Sequence, residues 1–94
     1  MPKVVLAHAL ARWLEKPAAV ETAIDVGGDT VGNVLNEVFA RHPGLRGYVV
    51  DERGAVRHHV AIFVDGVAIA DKTQLTYPVA PRGEVYIMQA LSGG

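Results

Sequence analysis

Hydrophobic and polar positions alternate at the start of the chain. In "KVVLAHAL" Val4 and Leu6 fall on one face, extended by His8 and Leu10, while Lys3, Val5, Ala7 and Ala9 fall on the other. This period of two, opened by β-branched residues, predicts a strand over 3–10. "EKPAA" interrupts it. "VETAIDV" then alternates again, with Val20, Ile24 and Val26 opposite Glu21 and Asp25. Two such runs suit an antiparallel hairpin with one buried and one wet face.

After "GGDT" the period changes. Val31, Val34, Leu35, Val38 and Phe39 stand at i, i+3, i+4, i+7 and i+8, the apolar stripe of an amphipathic helix. Thr30 is its expected N-cap, with a hydroxyl to accept from a first-turn amide. Arg41 and His42 fall in the last turn, where cations suit the helix dipole, and Pro43 and Gly44 end it.

Strand chemistry then returns. The stretch 51–54 (DERG) reads as a turn, so 48–50 and 55–58 are expected to pair as a short hairpin. "HVAIFV" is a stronger strand, and Asp65 with Gly66 between apolar runs is the best hairpin signal in the chain. From Asp71 to Gly83 the chain is polar and holds Pro78 and Pro81, so a long loop is expected, with room for one helical turn. "EVYIMQA" predicts the last strand, Val85 and Ile87 on one face and Tyr86 and Met88 on the other. Its almost unbroken apolar run suits a central position. The order β-β-α-β-β plus a final strand, with one main helix to cover one sheet face, is α+β.

Size and composition narrow what such a fold can do. Ninety-four residues, half of them hydrophobic, make one small domain with a core that needs no staples. A net charge of −1 with 20% charged residues argues against an electrostatic grip on nucleic acid. The absence of cysteine removes disulfides, thiolate nucleophiles and Cys-ligated zinc, and fits a cytoplasmic protein. Arg12 interrupts the apolar N-terminal stretch, so no signal peptide is read. No run approaches the roughly 18 apolar residues of a membrane span.

Enzyme chemistry finds little to use. Of the four histidines, His8, His42, His58 and His59, the adjacent pair on a strand would point to opposite faces, so no metal site is expected. No G-x-S-x-G nucleophile motif is present. Gly27 and Gly28 precede a helix and could invite an anion, but the full phosphate-loop pattern and its lysine are missing. The middle of the chain is locally basic, through Arg41, His42, Arg46, Arg53, Arg57, His58 and His59. It reads either as a solvated face or as a docking surface for an acidic partner.

The last residues, "LSGG", pose a separate question. With glycine near 7% of average usage, two terminal glycines arise by chance in about 0.5% of chains. Glycine has no Cβ, so a carboxylate on such a tail can enter another protein's active site on a thin stalk, with an unhindered carbonyl carbon. The tail carries no catalytic group. It is suited to be a substrate.

With the opening hairpin, the helix from "TVGNVLNEV" to "RHPGL", the "FVDG" turn and the terminal "SGG", the chain resembles the ubiquitin-like β-grasp sulfur carriers, the group of the molybdopterin synthase small subunit and the thiamine sulfur carrier. The resemblance implies a β-grasp domain over 1–90, a mixed sheet covered on one face by a single main helix, and a protruding tail over 91–94. It further implies that an ATP-using activating enzyme adenylates the carboxylate of Gly94, and that sulfur then replaces the adenylate. The thiocarboxylate would pass to a sulfur-accepting enzyme of molybdopterin, thiamine or cysteine biosynthesis. Leu91, Ser92 and Gly93 would be the tail segment inside the partner. The chain would thus bind no cofactor or metal of its own and would be a carrier, not an enzyme. The stretch from Tyr48 to His59 resembles that of the larger family members. A protein modifier that uses the same tail for an isopeptide bond is the rival reading, and a regulatory domain with an idle tail is the third.

Overall fold

The computed structural model describes residues 1–7 and 22–89. Strand β1 (Lys3–Leu6) is followed by β2 (Thr22–Asp25), helix α1 (Val31–Arg41), a 3-10 turn (Pro43–Leu45), a short helix α2 (Arg46–Val49), and strands β3 (Val60–Val64), β4 (Val67–Ala68) and β5 (Glu84–Gln89). The strands form one sheet in the order β2-β1-β5-β3-β4. β1 pairs antiparallel with β2, Lys3 opposite Asp25, and parallel with β5, Lys3 opposite Glu84. β3 is antiparallel to β5, with Val60 opposite Gln89 and Val64 opposite Val85.

The last strand is therefore central, as its apolar run predicted. Val85 and Ile87 are fully buried, and Tyr86 and Met88 lie on the other face, half-buried. On β1, Val4 and Leu6 are buried while Lys3 is exposed. The alternation at the start of the chain thus holds over Lys3–Leu6. His8, Leu10, Val20 and Glu21 lie outside the described residues.

Helix α1 is built as its periodicity requires. All five stripe residues are buried, from Val31 to Phe39, and pack with Val4, Leu6, Ile62, Val85 and Ile87 in one core. Thr30 is extended (φ −133°, ψ 161°), and its Oγ1 accepts from the Asn33 amide at 3.2 Å. The helix closes on His42, whose amide donates to the Val38 carbonyl at 2.8 Å. Arg41 reaches sideways, its guanidinium donating to the Asp25 carbonyl at 2.7 Å and tying the helix end to β2.

The Asp65 and Gly66 turn also holds. Both residues have positive φ (49° and 85°), the requirement of a two-residue hairpin whose twist matches its strands. The Asp65 carboxylate accepts from the Glu84 amide at 2.9 Å, which locks the hairpin to β5.

Two expectations are corrected. Residues 48–50 are not a strand: Tyr48 and Val49 belong to α2, and of the expected hairpin only one bridge remains, Val50 to Val56. The cause is tertiary. Leu45 and Val49 are both fully buried while Arg46, Gly47 and Tyr48 between them are exposed, a pattern that one helical turn gives and an alternating strand, with position 47 on the buried face, does not. The turn at 51–54 does form, with Gly54 at φ 82° and the Asp51 carboxylate accepting from the Arg53 and Ala55 amides. Second, His58 and His59 precede β3 in a turn, where their rings meet edge-on at 5.6 Å between centroids. They do not point to opposite faces of a strand.

The segment from Asp71 to Gly83 carries no helical turn. It runs along the start of α1 and serves it. Helix N-termini leave amides without intrahelical partners. Here the Val31 amide donates to the Tyr77 carbonyl (3.0 Å) and the Gly32 amide to Leu75 (2.8 Å), while the Val79 amide donates back to Asp29 (2.8 Å). One helix over one face of a mixed five-stranded sheet is the ubiquitin-like β-grasp arrangement.

Candidate functional site

The residues expected to carry function, Leu91, Ser92, Gly93 and Gly94, lie outside the described residues. What the structure describes is the strand that precedes them in the chain. β5 is paired with β1 as far as Ile87 and with β3 as far as Gln89, opposite Val60.

Around that point the surface has two chemistries. The sheet face opposite α1 carries Val5, Ala61, Phe63, Tyr86 and Met88, all half-buried. Val5 and Phe63 flank Tyr86 in register, and the Phe63 and Tyr86 rings meet edge-to-face at 6.4 Å. Beside the root of the tail stands the basic turn. The Arg57 carbonyl accepts from the Val60 amide at 2.9 Å, closing the turn onto β3. Arg57 Nε donates to the Gly47 carbonyl at 2.8 Å, and Lys72 Nζ donates to the His58 carbonyl at 3.0 Å.

The alternatives raised by the sequence can be placed as well. Gly27 and Gly28 do precede α1, but its first amides already have acceptors in Tyr77, Leu75 and Thr30. An anion there would displace bonds the fold uses. Gly28 has a structural role instead: at φ 132° a Cβ would stand 2.9 Å from the Val34 nitrogen. Among the described residues no group of three His, Cys, Asp or Glu side chains could hold a metal. His8 is outside them. No described helix is long and apolar enough to cross a membrane.

Two open depressions flank α1. One, of about 250 Å³, is lined by Leu35, Phe39, Val50 and Leu75 with Arg46 at its edge. The other, of about 470 Å³, lies against Asn33, Asn36, Glu37 and Ala40. Neither brings a base to a nucleophile. The Thr73 hydroxyl beside the first donates to Asp71 within a local turn that also takes the Thr73 amide at 2.8 Å. Those donors, the hydroxyl foremost, hold the Asp71 carboxyl below the usual carboxylate range. A carboxylate so stabilised is a loop anchor and a weak base.

A mixed five-stranded sheet with one main helix packed on one face defines the ubiquitin-like β-grasp class. The chain belongs to the ThiS family, whose model matches residues 10–94. Among solved structures it is similar to SAMP1 from Haloferax volcanii, at 28% identity and TM-score 0.75 over 99% of this chain and 98% of that one. Its fold also matches CysO of Mycobacterium tuberculosis (21% identity, TM-score 0.75, 94% and 99% covered). The third likeness is to the BexX/CysO complex of Amycolatopsis orientalis (20%, TM-score 0.76, 97% and 99%). No curated protein matches the sequence.

Proposed function

We propose that this chain is a sulfur carrier protein in which a domain over 1–90 presents a tail over 91–94 to partner enzymes. The tail is threaded into an activating enzyme, where a carboxylate oxygen of Gly94 attacks the α-phosphorus of ATP and pyrophosphate leaves. A sulfur nucleophile at the sulfide level then attacks the carbonyl carbon. The C–S bond forms, the C–O bond to AMP breaks, and a thiocarboxylate remains. It is a soft nucleophile, donated to an enzyme of molybdopterin, thiamine or cysteine biosynthesis. ATP belongs to the activating enzyme, and the setting is cytoplasmic.

The observation that carries this reading is the family match running to residue 94, together with β5 as the central strand ending next to that tail. A rigid root limits the tail's search and positions its end, which is what an adenylation reaction needs from its substrate. The half-buried apolar sheet face around Tyr86 is the surface on which partners would seat, and the complex of CysO with BexX supports a life among partner enzymes. The modifier reading is favoured by one observation, the 28% identity to a protein named as a small archaeal modifier. It shares the adenylate and differs afterwards, with a lysine amine attacking in place of sulfur.

The test is ATP–pyrophosphate exchange. Lysate fractions from the source cells are assayed with the purified chain added, and the enzyme whose exchange depends on it is isolated. Exchange that requires Gly94 supports the adenylation common to carrier and modifier, and a thiocarboxylate on the free chain then selects the carrier. Exchange in no fraction would contradict both carrier and modifier.

A further inference from the structure

The sheet has two outer strands, and the fold treats them differently. β4 has only two residues, Val67 and Ala68, and offers little to pair with. β2 has four, Thr22–Asp25, with β1 on one side. The direction of its main-chain groups follows from its neighbours. The Val26 amide donates inward to the Pro2 carbonyl at 3.1 Å, while the Lys3 amide, opposite Asp25, donates away from β2 to Gly83 at 3.0 Å. In an antiparallel pair, hydrogen-bonded and non-bonded positions alternate. Thr22, Ile24 and Val26 therefore bond to β1, and the amides and carbonyls of Ala23 and Asp25 face outward along the edge.

Among the described residues, only one of these outward groups has a partner. The Asp25 carbonyl accepts from the guanidinium of Arg41, an exposed residue in the last turn of α1, at 2.7 Å. A hydrogen bond with a charged donor is a strong one. The outward amide and carbonyl of Ala23 are left open. The self-pairing such an edge invites is antiparallel and symmetric about Ile24. Ala23 of one copy would then exchange both bonds with Asp25 of the other, and Asp25 with Ala23. That register pairs every outward group and sets each Asp25 opposite an alanine, so no like charges face each other. It needs the carbonyl that Arg41 holds. Centred on Ala23 instead, Ala23 alone would pair within the strand.

We propose that Arg41 is the guard of this edge: by occupying the outward Asp25 carbonyl, it keeps β2 from pairing with the β2 of a second copy. An outer strand with unpaired main-chain groups is a template for association unless something blunts it. Here the blunting comes from the helix, through one side chain. A strand that adds at β2 must first displace the guanidinium from its acceptor. A tie that merely anchored the helix end would lower stability when cut and leave the oligomeric state alone. The two roles separate in that readout. The guard acts whatever the tail carries.

Sedimentation equilibrium of the full chain tests this, with wild type, Arg41→Ala and Arg41→Ala/Ala23→Pro compared. Arg41 is exposed, so its truncation leaves the core untouched. Proline at 23 removes an outward amide without taking a bond from β1, the setting in which edge strands accept it. Wild type should be monomeric. Arg41→Ala should dimerise at least about tenfold more tightly, because a hydrogen bond from a charged group no longer competes for the acceptor. Amide exchange at Ala23 and Asp25 should slow in that dimer, and the double variant should return to monomer. Arg41→Ala that associates no more tightly than wild type would overturn the guard. A dimer that Ala23→Pro does not dissolve, or one that leaves both amides exchanging as fast as in wild type, would also overturn it, because it would be built on another surface.

Discussion

Gly32 and Leu75 meet backbone to backbone. The Gly32 amide donates to the Leu75 carbonyl at 2.8 Å, and a Cβ on Gly32 would stand 3.1 Å from that same oxygen. The glycine in the first turn of α1 is there for close approach, because the segment after β4 supplies the acceptors that the helix start lacks. Gly32→Val should therefore destabilise the domain by about 1–3 kcal/mol, the usual effect of overpacking a fitted contact. Chemical denaturation checks it. An unchanged midpoint would mean the segment yields without cost.

The core is the second place to test. Leu35 is 1% exposed within the stripe that packs on the sheet, and Leu35→Ala should cost about 2–5 kcal/mol. Its neighbour Asn36 is exposed, and Asn36→Ala should stay within about 0.5 kcal/mol. Equal effects at the two positions would contradict the burial pattern.

Both sites show how far the sequence could be read. The α1 stripe and the β5 run were legible because their periodicity records burial on one face or on both, a local signal. α2 was not, because a four-residue helix has too few positions to show a period, and Tyr48 with two following valines has the look of a strand. What decides it is the joint burial of Leu45 and Val49, which is tertiary. Nor does anything in "TQLTYPV" announce that its carbonyls will cap a helix forty residues earlier, since backbone acceptors are the same in every residue. The expectation for Leu91 to Gly94 rests on chemistry alone, from glycines at a terminus, and lies outside the described residues. The meeting of Lys72 with the 57–59 turn required the fold.

Asp71 gives a pH prediction. Its folded pKa lies below the usual carboxylate range through the Thr73 hydroxyl and amide. A depressed carboxyl contributes stability that is present above its unfolded pKa and is lost as pH falls through the folded value. Thermal melts of wild type and Asp71→Asn should therefore differ at neutral pH and converge toward the acid end. A gap that persists in strong acid, where both side chains are uncharged, would assign the effect to something other than ionisation.

Tail length follows from the proposed adenylation. One residue added after Gly94 moves the carboxylate by up to about 3.3–3.6 Å, and a misplacement of about 1 Å already costs about 100-fold in rate. Deletion of Gly94, a one-residue extension and Gly93→Val should each lower exchange by at least about 100-fold. Their melting temperatures should match wild type, since the described core contains no residue beyond Ile87. A shifted melt would place the tail in the fold.

The claim that Gly94 carries sulfur is tested most directly by intact mass. The chain is incubated with its activating enzyme, ATP and a sulfide source, then measured beside a sample lacking ATP. The carrier account predicts a product heavier by the difference between one sulfur and one oxygen atom, located to the C-terminal peptide and absent without ATP. An unchanged mass with the adenylate demonstrably formed, or a product joined to a second polypeptide through a lysine, would contradict it.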